Sequence, residues 1–150
     1  MFKLQGMDYI PRHIQPCLTE AARQYPVVTV TGPRQSGKTT LVQAVFPGHD
    51  YVSLETPEQR EFAQSDPHGF LGQFAGPVIV DEAQRVPDLF SYIQVASDAA
   101  DRPGQFILTG SQNFLLLERI SQSLAGRCAV LHLLPFSRPE LAGEPMMDLG

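Results

Sequence analysis

The sequence predicts an α/β fold, with a mostly parallel five-stranded sheet covered by helices on both faces. Three observations predict it. Short apolar, β-branched runs alternate with stretches of helical periodicity. The first run, Val27 to Thr31, leads through a glycine-bounded turn straight into a helix. The third, Pro77 to Val80, ends on two adjacent carboxylates, Asp81 and Glu82.

Taken in order, Met1 to Gly6 reads as a lead-in, and Pro11 to Tyr25 as a helix. Ile10, Ile14, Cys17, Leu18 and Ala21 supply its inward stripe, Pro16 is expected to kink or restart it, and Pro26 ends it. The first strand, Val27 to Thr31, follows. The helix from Thr40 stops near Phe46, at Pro47-Gly48. Tyr51 to Leu54 is a short second strand. Thr56-Pro57-Glu58-Gln59 opens the next helix, which runs to about Ser65; Thr56 is placed to cap it, Pro57 suits the first position, and Gln59 can reach back. Asp66-Pro67 starts a short helix through Phe74, and Gly76-Pro77 precedes the third strand. Val86 to about Ala100 is helical, with Ile93, Val95, Ala96 and Ala99 as its buried side. After the Asp101-Arg102-Pro103-Gly104 turn comes a fourth strand, Gln105 to Thr109. A helix from Phe114 to about Leu124 stops at Gly126, and Cys128 to Leu134 is the fifth strand.

Two stretches carry chemistry. Gly32-Pro33-Arg34-Gln35-Ser36-Gly37-Lys38-Thr39 fits G-x-x-x-x-G-K-S/T, a phosphate-binding loop, and Gly32 through Thr40 are the candidate phosphate-binding residues. Inward-pointing backbone N–H groups and the positive end of the helix dipole make an anion site there. Gly32 and Gly37 permit torsions and close approach that a Cβ obstructs. Lys38 is expected to reach the β- and γ-phosphates, and Thr39 to ligate Mg²⁺. By resemblance to similar loops, Arg34 is expected to point away from phosphate. The second stretch has the form of a Walker B segment. Parallel sheets gather ligands at the carboxyl ends of their strands, so Asp81 emerges beside the loop to hold Mg²⁺ and Glu82 can deprotonate an attacking water. Past the fourth strand, Ser111 or Asn113 either touches the γ-phosphate or caps the next helix. His49, His68 and His132 read as loop, surface and strand residues without ligand roles.

The totals bound the partners. The length, 150 residues, suits one domain. A net charge of −5 argues against a broadly basic nucleic-acid surface, and no aromatic–basic interleaving stands in for one. Cys17 and Cys128 have no metal-ligand spacing and read as small buried apolar residues of a reducing compartment. No apolar run has the length of a membrane span and no signal-peptide pattern opens the chain, so a cytoplasmic location is expected.

On Ile10-Pro11-Arg12, the phosphate loop through Thr40, Val80-Asp81-Glu82-Ala83-Gln84, Leu108-Thr109-Gly110-Ser111, Leu124-Ala125-Gly126-Arg127 and Leu134-Pro135-Phe136, the chain resembles a family of bacterial and archaeal AAA+-type P-loop ATPases. Members pair the ATPase domain with a C-terminal domain of unknown function. The resemblance implies a three-layer α/β/α sandwich of strand order 5-1-4-3-2, ATP and Mg²⁺ as ligands, and a sensor 1 position at Ser111. It puts Arg127 at the arginine-finger position, acting on a neighbouring subunit in a homo-oligomer; the alternative for Arg127 is a cation favoured by a helix C-terminus. It implies an ATPase core over residues 1–141, with lead-in and helix in 1–25, and a tail over 142–150 where the family's helical lid or second domain would start. A DNA or protein partner follows from analogy with the family alone.

Three function classes are compatible with these residues. The leading one is ATP hydrolysis that drives a conformational change in a partner or attached domain. The second is a nucleotide-dependent switch with little turnover. The third is a P-loop kinase of a small molecule, which the Asp81-Glu82 pair disfavours because a base beside water favours hydrolysis.

Overall fold

The computed structural model describes residues 9–33, 36–111, 118, 120, 122, 124 and 126–133, with side chains from Ile14 onward. Arg34 and Gln35 of the loop, Asn113, the start of the helix at Phe114 and the segment from Leu134 through the 141/142 boundary lie outside the described residues. The elements are α1 (Tyr9–Gln24), β1 (Val27–Thr31), α2 (Lys38–Val45), β2 (Asp50–Ser53), α3 (Pro57–Ser65), α4 (Pro67–Gly72), β3 (Val78–Asp81), a 3₁₀ turn (Ala83–Arg85), α5 (Leu89–Ala100), β4 (Phe106–Gly110) and β5 (Cys128–His132).

The five strands pair in parallel in the order β2-β3-β4-β1-β5. This is the expected 5-1-4-3-2 order, with the loop-bearing strand inside the sheet. Every residue of β1 and β4 is buried, which is why both read as continuous apolar or β-branched runs rather than alternating ones.

Strand alternation sorts the core into two layers. Val27, Val52, Val78, Val80, Phe106 and Leu108 face Phe70 of α4 and Leu89, Phe90 and Ile93 of α5. Val28, Val30, Ile79 and Ile107 face the other way, onto Ile14 and Leu18 of α1 and Leu41 and Val42 of α2. Asp81 is two residues beyond Ile79, and Thr109 two beyond Ile107, so both project toward α2. That parity places the functional side chains. Phe90 is fully buried in the first layer. Phe90→Ala is expected to cost about 3–5 kcal/mol of stability, read as a lower unfolding midpoint in urea.

Several local expectations are corrected. Helix α1 continues through Pro16 without restarting. Pro16 itself is exposed. Cys17 is exposed, because the face turned to the sheet is carried by Ile14 and Leu18, with Ala21 and Ala22 beside them. Val95 is 67% exposed, whereas Leu89, Phe90, Ile93 and Ser97 form the inward face of α5. That helix starts at Leu89 rather than Val86, since the chain first makes the 3₁₀ turn. Thr56 occupies the N-cap of α3 but its hydroxyl makes no cap bond there, and Gln59 Oε1 has no hydrogen-bond partner among the described residues. Asp66 does cap α4, accepting from the Gly69 N–H at 3.0 Å. Gly126 has φ +79°, the left-handed conformation expected of a helix stop.

Candidate functional site

The loop leaves β1 at the carboxyl edge of the sheet. The Gly32 N–H donates to the Gly110 carbonyl of neighbouring β4 at 3.2 Å, and on the other side the Leu133 N–H donates to the Thr31 carbonyl at 2.7 Å. Gly32 is therefore wedged between strands. A Cβ there would sit 2.7 Å from both the Leu133 carbonyl oxygen and Ser36 Oγ, closer than real Cβ contacts allow. Ser36 folds back on the loop, its hydroxyl donating to the Pro33 carbonyl at 2.7 Å. Gly37, at φ +84°, makes the left-handed step into α2 that a side chain would resist. Thr40 is exposed on α2, turned out from the loop.

Lys38 is buried, 4% exposed, with its Nζ 3.4 Å from the Pro33 carbonyl and 3.8 Å from Glu82 Oε2. Thr39 Oγ1 donates to Asp81 Oδ1 at 2.8 Å, joining the start of α2 to the end of β3. The Thr109 hydroxyl of β4 donates to the same oxygen and accepts from the Glu82 N–H at 3.0 Å. The Tyr51 hydroxyl of β2 donates to Asp81 Oδ2 at 2.8 Å. Three hydroxyls on three elements thus converge on one buried carboxylate. Thr39 and Asp81 are hard oxygen donors, the kind Mg²⁺ takes, beside a glycine cradle and a buried ammonium; the set fits a metal–triphosphate ligand.

Burial first, then the hydrogen bond into Asp81 and the charge of that carboxylate, push the Tyr51 hydroxyl from 10.0 up to about 12. Below pH 10 the hydroxyl is protonated folded or unfolded, and the Tyr51–Asp81 bond contributes fully. Above that, the unfolded chain releases the proton while the folded one retains it, so the contribution falls away toward pH 12. Absorbance titration at 295 nm should show a late-ionising tyrosine that Tyr51→Phe removes, and the variant should lose less stability than the parent between pH 10 and 12.

Glu82 sits at φ 59°, ψ 49°, a left-handed backbone unusual for a residue with a side chain. This turn ends β3 and starts the 3₁₀ turn, anchored by fully buried Ala83. Gln84 Nε2 donates to Glu82 Oε1 at 2.7 Å, and Gln84 Oε1 accepts from the Ser111 N–H at 3.2 Å.

The structure brings together Gly32, Pro33, Ser36, Gly37, Lys38, Thr39, Asp81, Glu82 and, through Gln84, the backbone of Ser111. It does not bring Arg127 to them. Arg127 precedes β5, its carbonyl accepting from the Val27 N–H at 3.1 Å, so it belongs to the amino end of the strands. The loop is at the other end, about 13 Å away at the usual rise per strand residue. The Arg127 Nε lies 2.5 Å from Asp98 Oδ1 of α5. Sequence reasoning overlooked Tyr51, Thr109 and Gln84. Tyr51 and Thr109 share the strand parity of Ile79 and Ile107, and that signal becomes useful once the strand order is known.

A family model described as an AAA domain matches residues 24–142. Uncharacterized proteins of Mycobacterium tuberculosis and Mycobacterium bovis are each 35% identical over 134 residues, covering 89% of this chain and 29% of theirs. The chain therefore spans under a third of the length of these relatives. Among solved structures, AMPPCP-bound DnaA from Aquifex aeolicus superposes with a TM-score of 0.53 at 16% identity, covering 89% of this chain and 48% of that one. A Walker-type ATPase of Pyrococcus abyssi gives 0.53 at 18% identity, covering 93% and 59%. At such identities these two share the fold, and the family model supplies the membership: the chain belongs to the AAA domain family, built on the P-loop nucleotide-binding fold.

Proposed function

We propose that the protein binds ATP with Mg²⁺ and hydrolyses it to ADP and phosphate, using the cycle to drive a conformational change in an attached domain or a bound partner. The observation that carries this reading is the 2.8 Å contact between Thr39 and Asp81, which closes the loop helix onto the acidic strand end with Lys38 and Glu82 alongside. Loop amides and Lys38 hold the phosphates. Thr39 and Asp81 hold Mg²⁺, which when bound neutralises charge developing on the phosphate oxygens. Glu82 accepts a proton from water as the water oxygen bonds to the γ-phosphorus and the bond to the β–γ bridging oxygen breaks. Thr109 fixes both acids at once, through its hydroxyl bond to Asp81 and the Glu82 N–H it receives. Ser111, at the end of β4, is the candidate γ-phosphate sensor.

Arg127 is too far along its own strand to serve its own loop, so any action on phosphate is across a homo-oligomer interface, after its pair with Asp98 opens. A switch with little turnover is the second reading. It is favoured by the 3.8 Å Lys38–Glu82 pair, which engages the base and the phosphate ligand with each other. Calorimetric titration with ATP and ADP, with and without Mg²⁺, and phosphate release with and without duplex DNA test the proposal. Mg²⁺-dependent ATP binding with continuous phosphate release is expected. Binding without release selects the switch, and no binding overturns both readings.

A further inference from the structure

We propose that Gln84 is a positioning residue that holds the Glu82 carboxylate in place and ties it to the end of β4; this rests on the hydrolytic reading above. Its side-chain amide is used in both senses. The –NH₂ donates to Glu82 Oε1 at 2.7 Å and the carbonyl oxygen accepts from the Ser111 N–H at 3.2 Å. The amide serves both neighbours at once: a carboxylate in its place has no proton for Glu82, and an apolar side chain serves neither neighbour.

The surrounding backbone presents Gln84 for the task. The left-handed turn at Glu82 reverses the chain, and the Arg85 N–H donates back to the Glu82 carbonyl at 3.1 Å. Fully buried Ala83 fixes the turn against the core, while Arg85 pairs at 3.3 Å with Glu55 beside β2. Gln84 therefore rides on a short, anchored turn rather than on a free loop.

The consequence lies in how the two carboxylate oxygens are divided. Oε2 faces Lys38 at 3.8 Å, whereas Oε1 belongs to Gln84. A triphosphate entering the loop draws Lys38 onto its own oxygens and releases Oε2. The Gln84 bond on Oε1 keeps the carboxylate from swinging out to solvent, so Oε2 is left facing the water. Because Gln84 also holds the Ser111 N–H, a shift of that residue at the γ-phosphate is transmitted to the base.

The test compares Gln84→Met, which keeps the length and removes both hydrogen bonds, with Gln84→Glu, which keeps the shape and removes the donor. Both should lower kcat about 10- to 100-fold, with KM for ATP and the unfolding midpoint close to the parent's. In a Glu82→Gln background, Gln84→Met should change the residual rate little, because the group it positions is gone. A structural role would instead lower the two rates by the same factor. Parent-like kcat in both Gln84 variants, or equal losses in both backgrounds, overturns the proposal while leaving hydrolysis intact. If the parent releases no phosphate, the hydrolytic reading fails and this one falls with it.

Discussion

Lys38→Ala is expected to weaken ATP binding roughly 10- to 100-fold and to lower turnover by about a further 10²–10³-fold. The first loss is a charge-assisted contact to the phosphates, worth about 1.5–3 kcal/mol. The second is a cation aimed where negative charge builds up as the β–γ bond breaks. Burial strengthens both, since Lys38 is 4% exposed and no bulk water replaces its charge. The substitution also leaves Glu82, adjacent in sequence to Asp81, without the cation 3.8 Å from its Oε2. Calorimetry and phosphate release on the same preparation separate the two losses. Unaltered ATP affinity in Lys38→Ala would show that phosphate binds elsewhere.

Glu82→Gln is expected to separate binding from turnover. The amide keeps the size and the backbone turn but cannot take a proton from water. Steady-state phosphate release should fall about 10²–10⁴-fold, the range a general base supplies. ATP affinity should hold or rise slightly, because Lys38 no longer leaves a carboxylate partner to meet the phosphates. Full-rate hydrolysis by this variant would remove Glu82 from the role of base. An equal loss of affinity would instead assign it to phosphate or metal binding.

Much of the fold and the grouping of the candidate site residues are legible in the sequence, for identifiable physical reasons. Parallel strands buried on both faces are mainly apolar or β-branched along their length, so β1, β3 and β4 stand out in the sequence. A glycine-bounded loop followed by Lys and Thr has the spacing a phosphate cradle requires, so Gly32 through Thr39 stands out. Legibility failed where a residue's environment depends on neighbours distant in sequence. Val95 fits a helical stripe, yet which side of α5 meets the sheet is settled by Phe90 and Ile93. Tyr51 looked like an ordinary strand residue until β2 paired beside β3 and brought its hydroxyl to Asp81. Gln84 was part of a recognised motif but had no assigned task, because its second partner, Ser111, is 27 residues away.

The left-handed turn at Glu82 has a thermodynamic implication for how such a chain is tuned. Holding a residue with a side chain at φ 59° forfeits roughly 1 kcal/mol or more that glycine would not. The bend is thus a small, permanent sacrifice of robustness made where the proposed base stands at the sheet's rim. Sequences drifting toward greater ruggedness would gain by placing glycine there, and would become inert by doing so.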